Sequence, residues 1–163
     1  MKQSRYETES MGPPPRSLGK ECIVFPVVVC VILALFAVLP ARADLRILSS
    51  PGGMVEAYLA AFARVRQSGE RVVIDGPCLS ACTLVLVTIP RNRICVTRRA
   101  VLGFHAARWI DPNGHAWRAP EATRIVTASY PAGVRGWIKK RGGLTQKLIY
   151  LRGKELAALY PRC

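Results

Sequence analysis

Ile23 to Pro40 reads IVFPVVVCVILALFAVLP, eighteen residues with no charge and no strongly polar side chain. A helix that is apolar on every face cannot lie at a protein–water surface, so this run divides the chain. As a helix it is about 27 Å long at ~1.5 Å per residue, just enough to cross the hydrocarbon of a bilayer. Lys2, Arg5, Arg16 and Lys20 precede it. Ala41-Arg42-Ala43 follows it in the small-x-small form cut by signal peptidase, which would leave Asp44 as the first mature residue. That site fits cleavage. The length of the run, beyond a usual signal-peptide core of ~7–15 residues, fits an uncleaved anchor, and both readings stay open. The expected organisation is a polar, disordered leader over 1–21, a transmembrane anchor or signal peptide over 22–43, and a folded domain over 44–163. The basic flank sends the domain out of the cytoplasm, held at the membrane by one N-terminal helix or released to the periplasm after cleavage near Ala43.

The folded part has 120 residues, with 19 Lys and Arg against 7 Asp and Glu. The excess positive charge favours anionic partners, or is a solvated basic surface; no aromatic-interleaved nucleic-acid motif accompanies Lys139-Lys140-Arg141. Cys78, Cys82, Cys95 and Cys163 fall in the exported part, where oxidation is allowed. Paired Cys-x2-Cys or His ligands are absent, so neither a metal nor another cofactor is expected. Cys78 and Cys82 bracket Ser80, either as a disulfide that pins the turn or as two small buried thiols.

From Leu45 onward, short apolar runs alternate with amphipathic helices. Leu45–Ser49, Arg71–Asp75, Arg93–Thr97 and Ala100–Phe104 read as strands. Met54–Gln67 reads as a helix with Val55, Leu59, Phe62 and Val65 on one stripe, stopped by Ser68-Gly69. Ser80–Ile89 reads as a buried helix, Glu121–Lys140 as helix broken near Pro131, and Gly153–Leu159 as a short last helix. Asp111-Pro112-Asn113-Gly114 is a turn, with His115 solvated beside it. Alternating strands and helices with short links predict an α/β fold with parallel strands.

Three segments carry chemistry. Ser80 lies in Gly76-Pro77-Cys78-Leu79-Ser80-Ala81-Cys82-Thr83, after a strand and before a helix, where a turn holds a side chain clear of the sheet edge. Ser50-Pro51-Gly52-Gly53 lies between a strand and a helix, where free N–H groups meet negative charge. His105, in Gly103-Phe104-His105, ends a strand and is the one base so placed. Singly, each has a plain structural role: a helix cap, a turn, a strand-end histidine. Together they form the parts list of a serine hydrolase.

In this order and spacing the segments resemble the Clp protease proteolytic subunit and its relatives in the crotonase-like superfamily. The Cys-Leu-Ser-Ala-Cys variant is similar to a group of predicted periplasmic members. The likeness covers Leu45 to His105 and fades beyond. It implies a crotonase-like parallel-sheet domain, with Ser80 as nucleophile, His105 as general base, and the Gly53 and Ala81 N–H groups as oxyanion hole. The implied reaction is acyl transfer to Ser80 and then hydrolysis, on a peptide or protein substrate. The family's third catalytic residue is an Asp before the last helix; Thr145–Tyr150 stands there with no carboxylate, leaving Asp111 and Glu155 as the nearest alternatives. The family's first strand–helix unit is also missing, its place taken by the apolar run. An exposed sheet edge of that kind is relieved by a homo-oligomer. These departures keep a second expectation open: a catalytically degenerate binding or assembly module at the membrane.

Overall fold

The computed structural model describes residues 43–163. The leader over 1–21 and the membrane or signal segment over 22–43, apart from its last residue, lie outside the described residues. Among the described residues no helix is long and apolar enough to cross a membrane.

The fold is mixed α/β, built on two small sheets and a hairpin. β1 (Leu45–Ile47), β2 (Val72–Ile74) and β4 (Ile94–Val96) pair in parallel in the order β1-β2-β4. Every residue of β2 and β4 is buried, as Val-Val-Ile and Ile-Cys-Val runs require when both faces of a strand are covered. A second sheet has the order β3-β5-β8, from β3 (Pro77–Leu79), β5 (Val101–Phe104) and β8 (Ile149–Arg152). Here β3 and β5 run parallel, but β5 and β8 are antiparallel. β6 (Arg108–Ile110) and β7 (Ala116–Arg118) form an exposed antiparallel hairpin.

The chain passes from one sheet to the other at two adjacent places. Beyond β1, Ser50 N–H donates to Pro77 O at 2.8 Å and Leu79 N–H to Ser50 O at 2.9 Å, tying the Ser-Pro-Gly-Gly turn to β3. Beyond β2, Gly76 turns the chain so close to β1 that a Cβ there would sit 1.9 Å from Leu48 O. Asp75, 4 % exposed, anchors this switch. Its carboxylate accepts from Arg46 Nη1 at 2.6 Å, Arg99 Nη2 at 2.5 Å and Thr97 Oγ1 at 2.6 Å. The Arg99 hydrogen bond, then those from Thr97 and Arg46, hold the carboxyl well below its ordinary range.

Helices cover the sheets: α1 (Val55–Ser68), α2 (Val85–Thr88), α3 (Pro120–Ser129), α4 (Ala132–Lys140) and α5 (Gly153–Leu159). α1 ends at Gly69 in the left-handed conformation. Its inward stripe is Phe62, buried, with Val55, Tyr58 and Val65 half-buried against the core; Leu59, expected inside, is exposed, while Tyr58 turns inward to bond Ser50 Oγ at 2.7 Å. The core collects Ile74, Val96, Leu102, Phe104, Val134 and Leu156 between these layers.

Other expectations need correcting. Ser80–Ile89 is not one helix but a 3-10 turn over Ser80–Leu84 followed by the four-residue α2. Thr83 Oγ1 donates to Ser80 O at 2.6 Å, engaging the carbonyl that begins a regular α-helix and favouring the tighter winding. The sheet expected to have parallel strands takes an antiparallel strand at β8. The expected turn at Asp111–Gly114 is present and joins two short strands, β6 and β7.

Candidate active site

Ser80 begins the turn after β3 with φ of 53°, the single non-glycine residue with positive φ among the described residues. An L-residue is held there only when its surroundings over-determine it. Four of them do. The disulfide between Cys78 and Cys82 closes the turn across Ser80. Thr83, fully buried, ties down the Ser80 carbonyl. Because Thr83 Oγ1 spends its proton there, Tyr130 O–H donates to Thr83 Oγ1 at 2.6 Å. Burial pushes the Tyr130 hydroxyl up to about 12, so it stays a donor. Finally Gly52, with φ of 88°, packs under the turn: a Cβ there would lie 2.5 Å from Ser80 Cβ and 2.6 Å from Leu79 O.

The strained turn presents Ser80 Oγ to His105 Nε2 at 2.8 Å. His105 follows β5, which is parallel to β3, so the pleat brings the two residues together across neighbouring strands. The other ring nitrogen, Nδ1, lies 2.6 Å from Ala106 O. A carbonyl only accepts, so Nδ1 carries the proton and Nε2 is left as acceptor for the Ser80 hydroxyl. That is the tautomer a general base needs. Among the described residues no carboxylate bonds His105. Asp111 bonds Trp117, Asn113 and His115. Glu155 bonds Arg141 at 2.8 Å. The stretch Thr145–Tyr150 contributes backbone instead: Ala106 N–H donates to Thr145 O at 2.7 Å and so helps to hold the residue whose carbonyl meets the ring.

Ala81 follows Ser80 directly, and Gly53 lies in the turn before α1, next to the Gly52 that packs under Ser80. Neither N–H bonds a loop or turn carbonyl among the described residues. Ala81 N–H, in the first turn of its helix, has no helical partner. A free N–H directly after the serine is a donor of the kind a developing oxyanion requires. A narrow cavity of about 40 Å³ opens against Ser80 and His105, walled by Val55, Leu84, Val126 and Leu144. It has room for one small apolar side chain.

Gly52 and Thr83 lie in segments singled out from the sequence, but their part in holding Ser80 was not expected, and Tyr130 and Ala106 were not singled out at all. Thr83 had a local signal, a hydroxyl three residues after Ser80, where it reaches back to the turn carbonyl. Tyr130 had none, since it reaches Thr83 across 47 residues, and Ala106 acts through its backbone carbonyl, which its side chain does not announce. Among the described residues no group of three or more His, Cys, Asp or Glu is arranged to hold a metal. No protein-family model matches the chain, and no curated protein matches it.

Proposed function

We propose that this chain is an exported or membrane-anchored serine hydrolase of the peptidase type, on a crotonase-like fold related to the Clp protease proteolytic subunit. The observation that carries the reading is the 2.8 Å contact between His105 Nε2 and Ser80 Oγ on a strained strand-to-helix turn. In the reaction, Ser80 Oγ attacks the substrate carbonyl carbon while its proton passes to His105 Nε2. The carbonyl oxygen gains the electron pair and is met by the Gly53 and Ala81 N–H groups. Collapse breaks the bond to the leaving amine, which takes the proton from Nε2. Water then attacks the acyl-enzyme by the same route and frees Ser80. With the Ala106 carbonyl in place of an orienting carboxylate, the imidazolium formed on the way lacks a countercharge. A loss of the order of ~10⁴-fold in rate against a complete triad is the scale to expect.

That same missing carboxylate supports a second reading: a catalytically silent binding or assembly module at the membrane. A fluorophosphonate probe on the full chain decides between them. Labelling that disappears in Ser80→Ala supports the hydrolase. Silence between pH 6 and 9 in a folded protein overturns it and leaves the binding module.

A further inference from the structure

We propose that the groove beyond His105 receives the leaving-group side of the substrate and selects a segment bearing carboxylates; this rests on the hydrolase reading. The groove measures about 670 Å³, against about 40 Å³ for the cavity at Ser80. It is therefore large enough for a short extended peptide segment, within the usual range of ligand sites. The two spaces adjoin, since Thr123 and Leu144 line both. Direction follows from proton transfer. His105 must hand its proton to the departing amine, so that side of the substrate lies against His105, and the groove begins at Ala106.

Charge then sets the class of ligand. Arg118 at the end of β7 and Lys147 on the loop before β8 both line the groove, and no Asp or Glu does. Among the described residues neither cation has a carboxylate within 4.0 Å, and neither side chain makes a hydrogen bond. Their neighbours are engaged: Arg124 pairs with Glu121 at 2.5 Å, and Arg108 bonds Gln146 Oε1 at 2.7 Å and Gln146 O at 2.9 Å. Arg108 thereby ties the hairpin to the loop and holds the groove's two walls together. A groove lined by two uncommitted cations and neutral residues is complementary to carboxylates spaced along a peptide.

The test compares internally quenched peptides of common sequence, with Ala at the acyl position and either Asp-Asp or Asn-Asn after the scissile bond, on the full chain in detergent. Two exposed pairs predict a kcat/KM roughly three- to tenfold higher for Asp-Asp at low salt, shrinking at high salt. The double variant Arg118→Glu/Lys147→Glu is expected to reverse the preference toward a Lys-Lys peptide. Both positions are exposed, and circular dichroism checks the fold. Should the double variant not fold, Arg118→Gln and Lys147→Gln singly should each reduce the Asp-Asp preference. Equal turnover of Asp-Asp and Asn-Asn, a preference untouched by charge reversal, or one that follows acids on the acyl side would overturn the proposal. Ser80 labelling reports the hydrolase reading separately. If labelling is absent, fluorescein-tagged Asp-Asp and Asn-Asn peptides are titrated by anisotropy. Tighter Asp-Asp binding that charge reversal abolishes keeps the groove assignment, and equal binding removes it.

Discussion

Gly52 packs under Ser80 and Gly53 follows it, and the two should answer differently to the same substitution. At Gly52 the left-handed φ and the 2.5 Å approach to Ser80 Cβ act together, so Gly52→Ala must shift the turn. We expect it to cost roughly 1–3 kcal/mol of stability and to slow probe labelling by at least about tenfold. Gly53→Ala adds a Cβ that meets only Tyr58, at 3.5 Å, and should keep the fold. Denaturant midpoints and labelling rates on both variants make the comparison; a Gly52→Ala chain that labels at the wild-type rate would show that the close approach does not hold the serine. His105→Ala should lower labelling by about 10²- to 10⁴-fold while leaving the circular dichroism spectrum unchanged. Asp75 makes a prediction about pH. Its folded pKa lies below the unfolded value of about 3.9, so its hydrogen bonds contribute stability that is complete above that value. The contribution is lost as pH falls through the folded pKa. The thermal midpoint should therefore drop below about pH 4, and Asp75→Asn should lower it at pH 7 and flatten the acid limb. Parallel acid limbs in the two proteins would remove Asp75 from the explanation.

The two disulfides act on different elements and should fail differently. Cys95–Cys163 spans 68 residues and staples the C-terminus to β4, where Val96 N–H also bonds Pro161 O at 2.9 Å. Cys78–Cys82 spans only 4. Loop-closure entropy gives about 4 kcal/mol for the long loop and about 2 kcal/mol for the short one. Cys95→Ser/Cys163→Ser should thus be the costlier pair in urea unfolding. Cys78→Ser/Cys82→Ser should be milder in stability but slower in labelling, because it frees the Ser80 turn. Equal labelling rates in the two double variants would count against that division. The long staple was invisible in the sequence, since nothing in the spacing of Cys95 and Cys163 says that the chain end returns to a central strand. The elements that could be read were those whose pattern is local. Val72–Ile74 and Ile94–Val96 are unbroken apolar runs, α1 carries its stripe and its Gly69 stop, and Pro131 divides α3 from α4. What escaped was set by distant partners: β3 and β8 exist because β5 lies between them, and the arms of β6 and β7 are too short to show alternation. The site followed the same rule. Ser80 and His105 announce themselves by residue type and position, whereas the support from Gly52, Thr83, Tyr130 and Ala106 exists only after folding.

At the scale of the whole molecule, six cysteines make the cellular fate of the chain countable. Four of them form two disulfides in the folded part, which an oxidising compartment allows and the cytosol opposes. The other two, Cys22 and Cys30, lie in the segment read as anchor or signal, upstream of the Ala41-Arg42-Ala43 site. Alkylating the protein from cells under denaturing, non-reducing conditions therefore gives a different number in each case. An exported and anchored chain should carry two reactive thiols. A chain cleaved near Ala43 should carry none and migrate faster. A chain kept in a reducing compartment should carry six. We expect two or none, because the turn under Ser80 is closed by one of these bonds and the last strand-like bridge by the other. Six thiols in a protein that still labels at Ser80 would sink both the exported location and the disulfide's part in holding the nucleophile.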